Sequence, residues 1–184
     1  MDNDKELEWT EKDRVEILKT PIYTVTERKS ISPEKKTGSF YVIDAPDWVI
    51  VIPSAGDKFL MVKQWRHGEK ALSIEFPGGV IEKGEDPEKA AMRELKEETG
   101  YTASSLVFLG RVNPNPALFS NHVYIYTSCD LTKTDSQNLD EEEFIKYSEI
   151  SKKEVYRMMG SSDYPHALMA TALALYREHE DNIR

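Results

Sequence analysis

GVIEKGEDPEKAAMRELKEETGY, residues Gly79 to Tyr101, sets a row of glutamates on a short helix directly behind a glycine turn. The helix opens at Asp86-Pro87, a side-chain cap followed by proline at the first helical position, and stops at Gly100, a residue suited to the left-handed conformation that ends helices. Within it, Glu94, Glu97 and Glu98 stand at i, i+3 and i+4, so their carboxylates converge on one face. Exposed, such like-charge pairs cost only about 0.2–0.5 kcal/mol each, and the stretch would be an ordinary solvated helix. In a cleft, a close pair costs on the order of 4 kcal/mol at an effective dielectric near 20, and a positive partner is required. Magnesium or manganese suits the role, because these ions take carboxylate oxygens and fill their other positions with water and phosphate. Arg93, four residues before Glu97, is placed to hold one carboxylate, Glu85 is placed to pair with Arg93, and Lys96 points to solvent. The preceding EFPGG, Glu75 to Gly79, allows backbone to approach the same cleft and offer a carbonyl.

Outward from this stretch the chain is rich in strands. VEILKTPIYTV and GSFYVIDA read as two strands separated by the polar turn stretch ERKSISPEKKTG. DWVIVIP and DKFLMVKQW read as a hairpin across Ser54, Ala55 and Gly56, and ALSIEF, SLVFLGRV, HVYIYTSCDL and EFIKYSEI as further strands. A second helix begins at SKKEVYRMMG, where Ser151 and Glu154 match a capping box; a third, in YPHALMATALALYREHED, is apolar enough to be buried on a sheet. The expected class is α+β, with a mixed sheet between helices. The expected organisation is a charged and frayed segment over residues 1–14, a strand-rich region over 15–45 and one domain over 46–184.

Composition narrows the function. With 24 basic and 33 acidic residues, a net charge of −9, the bulk surface repels polyanions, so no nucleic-acid partner is expected. MDNDKELEWTEKDR has no basic stretch leading into an apolar run, and no segment approaches the roughly 18 apolar residues of a membrane span, so no membrane partner is expected. Cys129 is the single cysteine, which fits a reducing, cytoplasmic location and argues against a zinc–thiolate site. The four histidines are scattered without ligand spacing and are assigned no catalytic role.

Gly79, five residues, Glu85, seven residues, then Arg93-Glu94-Leu95-Lys96-Glu97-Glu98-Thr99-Gly100-Tyr101 fill all nine fixed positions of the Nudix box. The sequence therefore resembles a Nudix hydrolase, and its strands and helices resemble that family's αβα sandwich. The resemblance implies Mg2+- or Mn2+-dependent hydrolysis of a nucleoside diphosphate linked to another group. Glu94 and Glu98 would be the principal metal ligands, Glu97 would share a further ion and contribute to catalysis, and the carbonyl of Gly78 would complete a shell. Gly79, Glu85, Arg93 and Gly100 would be structural parts of the box. The base would come from NLDEEEFIKY, with Glu141 and Glu143 favoured over Glu142.

Within the family, NPNPALFSNHVYIY around Pro116 resembles the ADP-ribose and nucleoside diphosphate sugar pyrophosphatases, and so does QWR, whose Arg66 would contact the substrate diphosphate. The stretch before the box resembles the portion through which these proteins form homodimers. SFYVIDAPD stands where ADP-ribose enzymes commonly carry an Arg-Glu pair, which implies a broader range of nucleoside diphosphate sugars, with Trp48 or Tyr41 stacking on the base. Trp48 also has a reading as a core residue. The expected substrate is ADP-ribose, GDP-mannose or a related compound. The alternatives are dinucleoside polyphosphates, nucleoside triphosphates, or a catalytically silent ligand sensor.

Overall fold

A computed structural model describes residues 4–182; Met1–Asn3 and residues 183–184 lie outside the described residues. The described chain divides into two compact units, one of residues up to Pro46 with Asn113–His122, the other of Asp47–Val112 with residues from Val123 onward.

The first unit is a three-stranded antiparallel sheet of β1 (Thr10–Lys19), β2 (Thr24–Ile31) and β3 (Thr37–Asp44) in that order. Strand structure begins at Thr10, inside the segment expected to fray, because β1 pairs with β2 along its whole length. VEILKTPIYTV is not one strand. Thr20 Oγ1 accepts from the amides of Ile22 and Tyr23, and with Pro21 this turn breaks the run into a hairpin. ERKSI, expected as turn, completes β2, and the actual turn is confined to Ser32–Lys36, closed by hydrogen bonds between Ser32 and Lys36. Asp44, at the end of β3, accepts from Thr26, Arg28 and Ser120, tying the 113–122 segment to the sheet.

In the second unit, β4 (Trp48–Ala55), β5 (Lys58–Arg66), β8 (Val107–Val112), β9 (Val123–Ser128) and β11 (Lys146–Ser151) form a mixed sheet in the order β11-β5-β4-β9-β8, with β6 (Ala71–Glu75) paired to β5. β4 and β9 run parallel and the other pairs antiparallel. The β4–β5 turn lies at Gly56-Asp57, one step beyond its expected place, because Ala55 pairs with Lys58 and Gly56 takes a φ of 60°. HVYIYTSCDL divides into β9 and β10 (Leu131–Lys133), and β10 pairs with the unforeseen short strand β7 (Tyr101–Ala103). EFIKYSEI contributes strand only from Lys146.

The apolar run of β4 is continuous because both faces are covered. Ile50 and Ile52, with Phe59, Met61, Val123 and Ile125, pack on the face that carries α2 (Lys152–Met158) and α3 (Ala167–Asn182). Val49 and Val51, with Leu60 and Tyr126, pack on the opposite face against Ala90, Ala91 and Leu95 of α1 (Pro87–Thr99). This is a sandwich of helices about a mixed sheet. No helix among the described residues is long and apolar enough to cross a membrane.

Candidate active site

α1 is delimited as its sequence dictates. Asp86 Oδ1 accepts from the amides of Glu88 and Lys89, and Gly100 closes the helix in the left-handed region with a φ of 72°. Alanines 90 and 91 and Leu95 fix one side of the helix to the sheet, which turns Glu94 and Glu98 toward the EFPGG loop.

That loop lies against β4 through two carbonyls: Pro77 O accepts from Val51 N and Gly79 O from Val49 N, both at 2.9 Å. Between them, the amide of Gly78 donates to Glu98 Oε2 at 2.9 Å. Both glycines are required by close approach. A Cβ on Gly78 would lie 2.1 Å from Val49 O, and one on Gly79 would lie 2.6 Å from Glu94 Oε1.

Arg93 organises the outer edge. Its Nε and Nη2 grip both oxygens of Glu85 at 3.0 Å, Nη2 also donates to Val80 O, and Nη1 donates to Glu94 at 2.9 Å and Glu97 at 3.0 Å. A second bidentate pair flanks the cleft from β5 and β6, where Arg66 Nε and Nη2 donate to Glu75 at 2.7 and 2.6 Å. Burial would raise the Glu75 carboxyl, but the Arg66 hydrogen bonds and charge outweigh it and hold the group below the usual carboxylate range.

Glu94 and Glu98 behave in the opposite way. Burial, with the charges of Glu97 and Glu143 adding to it against Arg93, pushes Glu94 up to about 7. Burial, reinforced by Glu94 and Glu143 and opposed by the Gly78 amide and Arg66, pushes Glu98 up to about 8. Two acids one helical turn apart thus stand in a cleft that disfavours their charged forms.

The cleft, about 300 Å³, is lined by Gln64, Arg66, Gly78–Val80, Glu82, Arg93, Glu94, Glu98, Asp140 and Glu143. It therefore gathers Glu94, Glu98, Gly78, Arg66 and Glu143 from four separate segments of chain. Glu97 is turned to another side of α1, beside Lys96 and residues 135–138. Glu141 is exposed and does not line the cleft. Trp48 is half-buried, packs against the hydrophobic core and pairs with Val123 on β9; it does not line this cleft. Tyr41 is exposed on β3 of the first unit. Glu75, Gln64 and Asp140 are site residues that sequence reasoning misses; EFPGG contains Glu75, but the β5–β6 register sets Val62 opposite Glu75 and Arg66 opposite Ala71, so the pair forms only because the long Arg66 side chain reaches along the strands.

Among the described residues, no three His, Cys, Asp or Glu side chains already close on a common point as a metal cage would. The donor set nevertheless fits a hard divalent cation. It offers two carboxylates whose charged forms lack a sufficient partner, next to a backbone loop, and magnesium-type ions bind through one or two carboxylates while keeping several waters.

Comparison with known proteins bears on this arrangement. Residues 45–168 match the NUDIX domain family. The chain is 32% identical over 143 residues to an ADP-ribose pyrophosphatase of Bacillus subtilis (strain 168), covering 77% of each. It is 33% identical over 124 residues to the methanol dehydrogenase activator of Bacillus methanolicus, covering 66% of this chain and 67% of that one. In three dimensions it resembles a solved ADP compounds hydrolase with a TM-score of 0.84 at 24% identity, over 95% of both chains, a likeness of fold.

Proposed function

The chain belongs to the Nudix family, and on that premise we propose that it is a divalent-metal-dependent pyrophosphatase of nucleoside diphosphate sugars such as ADP-ribose or GDP-mannose. Water attacks one phosphorus of the P–O–P bridge, the bridging bond breaks, and the products are a nucleoside monophosphate and a sugar phosphate. The observation that carries this reading is the pair of charge-averse glutamates, Glu98 buried and Glu94 half-buried, facing the same cleft as Arg66 and Glu143. The relative named an ADP-ribose pyrophosphatase supports the substrate class.

Magnesium or manganese, when bound, supplies Lewis-acid neutralisation of diphosphate charge. Glu94 and Glu98 would hold it, with the Gly78 carbonyl, the one of three successive carbonyls not engaged with β4 in the pattern above, and with Glu97 as an outer contributor. Arg66, fixed by Glu75, offers its remaining guanidinium edge to a phosphate oxygen, as a planar fork suits. Glu143 takes the proton of the attacking water; it lines the cleft, whereas Glu141 does not. Arg93 keeps Glu94 in position through its anchor on Glu85.

We also read the first unit as a dimerisation element. All ten residues of β1 are exposed, Val15, Ile17 and Leu18 among them, and Phe40 and Tyr41 are exposed on β3. Sedimentation of the protein as a monomer at micromolar concentration would refute the homodimer.

The test of function is incubation with a panel of ADP-ribose, GDP-mannose, a dinucleoside polyphosphate and a nucleoside triphosphate, each with Mg2+ and with Mn2+. Nucleoside monophosphate and sugar phosphate from the first two is the expected result. The rival reading is a catalytically silent nucleotide-ligand sensor. Tight binding with no product from any compound would favour that rival and end this proposal.

A further inference from the structure

The last turn of an α-helix leaves backbone carbonyls without intrahelical partners, and these ordinarily turn to water or to a local cap. In α1 they are claimed by residues 133–138. Asn138 N donates to Glu97 O at 2.9 Å, Gln137 Nε2 to Glu98 O at 2.6 Å, and Lys133 Nζ to Thr99 O at 2.8 Å. Thr134 N and Asp135 N both donate to Gly100 O. Lys133 is itself held over the rings of Tyr101 and Tyr147.

Gln137 differs from the others in bridging two places. The same Nε2 also donates to Ile145 O at 3.2 Å, and Ile145 is buried at the entrance to β11. One amide nitrogen thus joins both ends of the Asn138–Phe144 loop to the backbone of the helix that carries Glu94 and Glu98. Inside that loop Asp140 and Glu143 are bonded to each other, through Glu143 N to Asp140 O at 3.0 Å and Asp140 N to Glu143 Oε2 at 3.1 Å. Asp140 and Glu143 are also the two residues of the loop that reach the cleft.

We propose that Gln137 is a positioning residue: by clasping Glu98 O and Ile145 O it sets where Glu143 stands relative to the carboxylates of α1, and it acts on the reaction only through Glu143. The inference rests on the function proposed above. Its chemistry needs an uncharged donor of this length, because a glutamate would set a carboxylate against two carbonyl oxygens and a methionine would fill the space without donating.

The experiment is a double-mutant cycle of Q137M and E143Q, with Q137E as a second variant, measured with ADP-ribose and Mg2+ on protein whose fold is checked by circular dichroism. Q137M and Q137E are expected to lower kcat by roughly tenfold or more, a share of the contribution of a positioned base. KM for ADP-ribose and the calorimetric Kd for Mn2+ are expected to stay within about twofold, since Gln137 bonds only two backbone carbonyls and touches neither the ligand carboxylates nor the cleft. In the E143Q background, Q137M is expected to cost less than about twofold. A full tenfold cost in that background, a parallel loss of Mn2+ affinity, or an unchanged kcat would overturn the proposal. Hydrogen exchange supplies a readout apart from activity: amides of residues 138–144 should exchange faster in Q137M while those of α1 do not, and equal rates would overturn it as well. A wild-type protein that turns over none of the panel refutes the function and this role together; an active wild type with an unaltered variant refutes this role alone.

Discussion

Glu75 and Glu98 are the same residue in nearly the same degree of burial, 0% and 3% exposed, yet the fold treats them oppositely. Glu75 receives both arms of Arg66 and is held ionised. Glu98 receives one backbone amide, stands near Glu94 and Glu143, and is pushed up to about 8. Removing a carboxylate from water costs several kcal/mol in either place. The difference is whether the protein supplies the compensating charge itself. Where it does, the acid is part of the scaffold; where it does not, the acid is complete only with a cation from outside, and Glu94 and Glu98 are of that kind.

The largest effect expected from breaking this contrast is in turnover. E98Q should lower kcat by about three orders of magnitude, in line with losing a principal charge-stabilising group. Its metal-free melting temperature should be equal or higher, because the neutral amide relieves a buried acid. A rate within tenfold of wild type would remove Glu98 from the metal site. Next in size, R66M should destabilise the fold by about 3 kcal/mol near pH 7.5 in a denaturant titration, since it strands the buried Glu75 charge. The loss should shrink toward pH 5 as the stranded acid takes up a proton. Equal loss at both pH values would show that packing, not charge, is what Arg66 supplies.

The pH dependence of the metal-free protein sharpens the same contrast. Glu94 and Glu98 have folded values near 7 and 8, above the ordinary 4.5 of the unfolded chain. Between 4.5 and those values the folded state retains protons that the unfolded state has lost, so stability falls as pH rises through that window and levels above it. Glu75, held below its ordinary value, contributes in the opposite sense: its stabilisation is present above the carboxylate range and is lost as pH falls. Thermal melts from pH 5 to 9 should therefore decline in chelator, flatten with Mn2+ and decline less in E98Q, where Glu94 alone retains its proton, and a rising curve in chelator would refute the assignment. The smallest effect separates the two glycines. G78A meets backbone at Val49 O and should cost about 2 kcal/mol, whereas G79A meets the movable end of Glu94 and should cost less in stability while disturbing metal affinity more. Equal stability loss in both would refute that distinction.

Much of this was legible in the sequence where local chemistry decides. Asp86, Pro87 and Gly100 mark the ends of α1 because caps and left-handed glycines act over a few residues, and the i, i+4 spacing sets Glu94 and Glu98 on one face. The box spacing likewise identifies the family. What the sequence left open depends on contacts distant along the chain. The hairpin at Thr20–Tyr23 is set by a threonine hydroxyl within a run whose β-branched residues read as continuous strand. Glu75 and Arg66 meet across two strands although neither stands opposite the other, and Glu97, which shares both its helix and its Arg93 contact with Glu94, lines a neighbouring hollow beside residues 135–138. Gln137 carries no local signal at all, since its partners lie 39 and 8 residues away.

The most direct test of the central contrast is calorimetric titration of Mn2+ at pH 6.5 in two buffers of different ionisation enthalpy. Glu94 and Glu98, protonated there for want of a counter-charge, must shed protons to bind, so wild type should release roughly one to two protons per ion and E98Q fewer. Binding that releases none, or no uptake of the ion at all, would contradict the account.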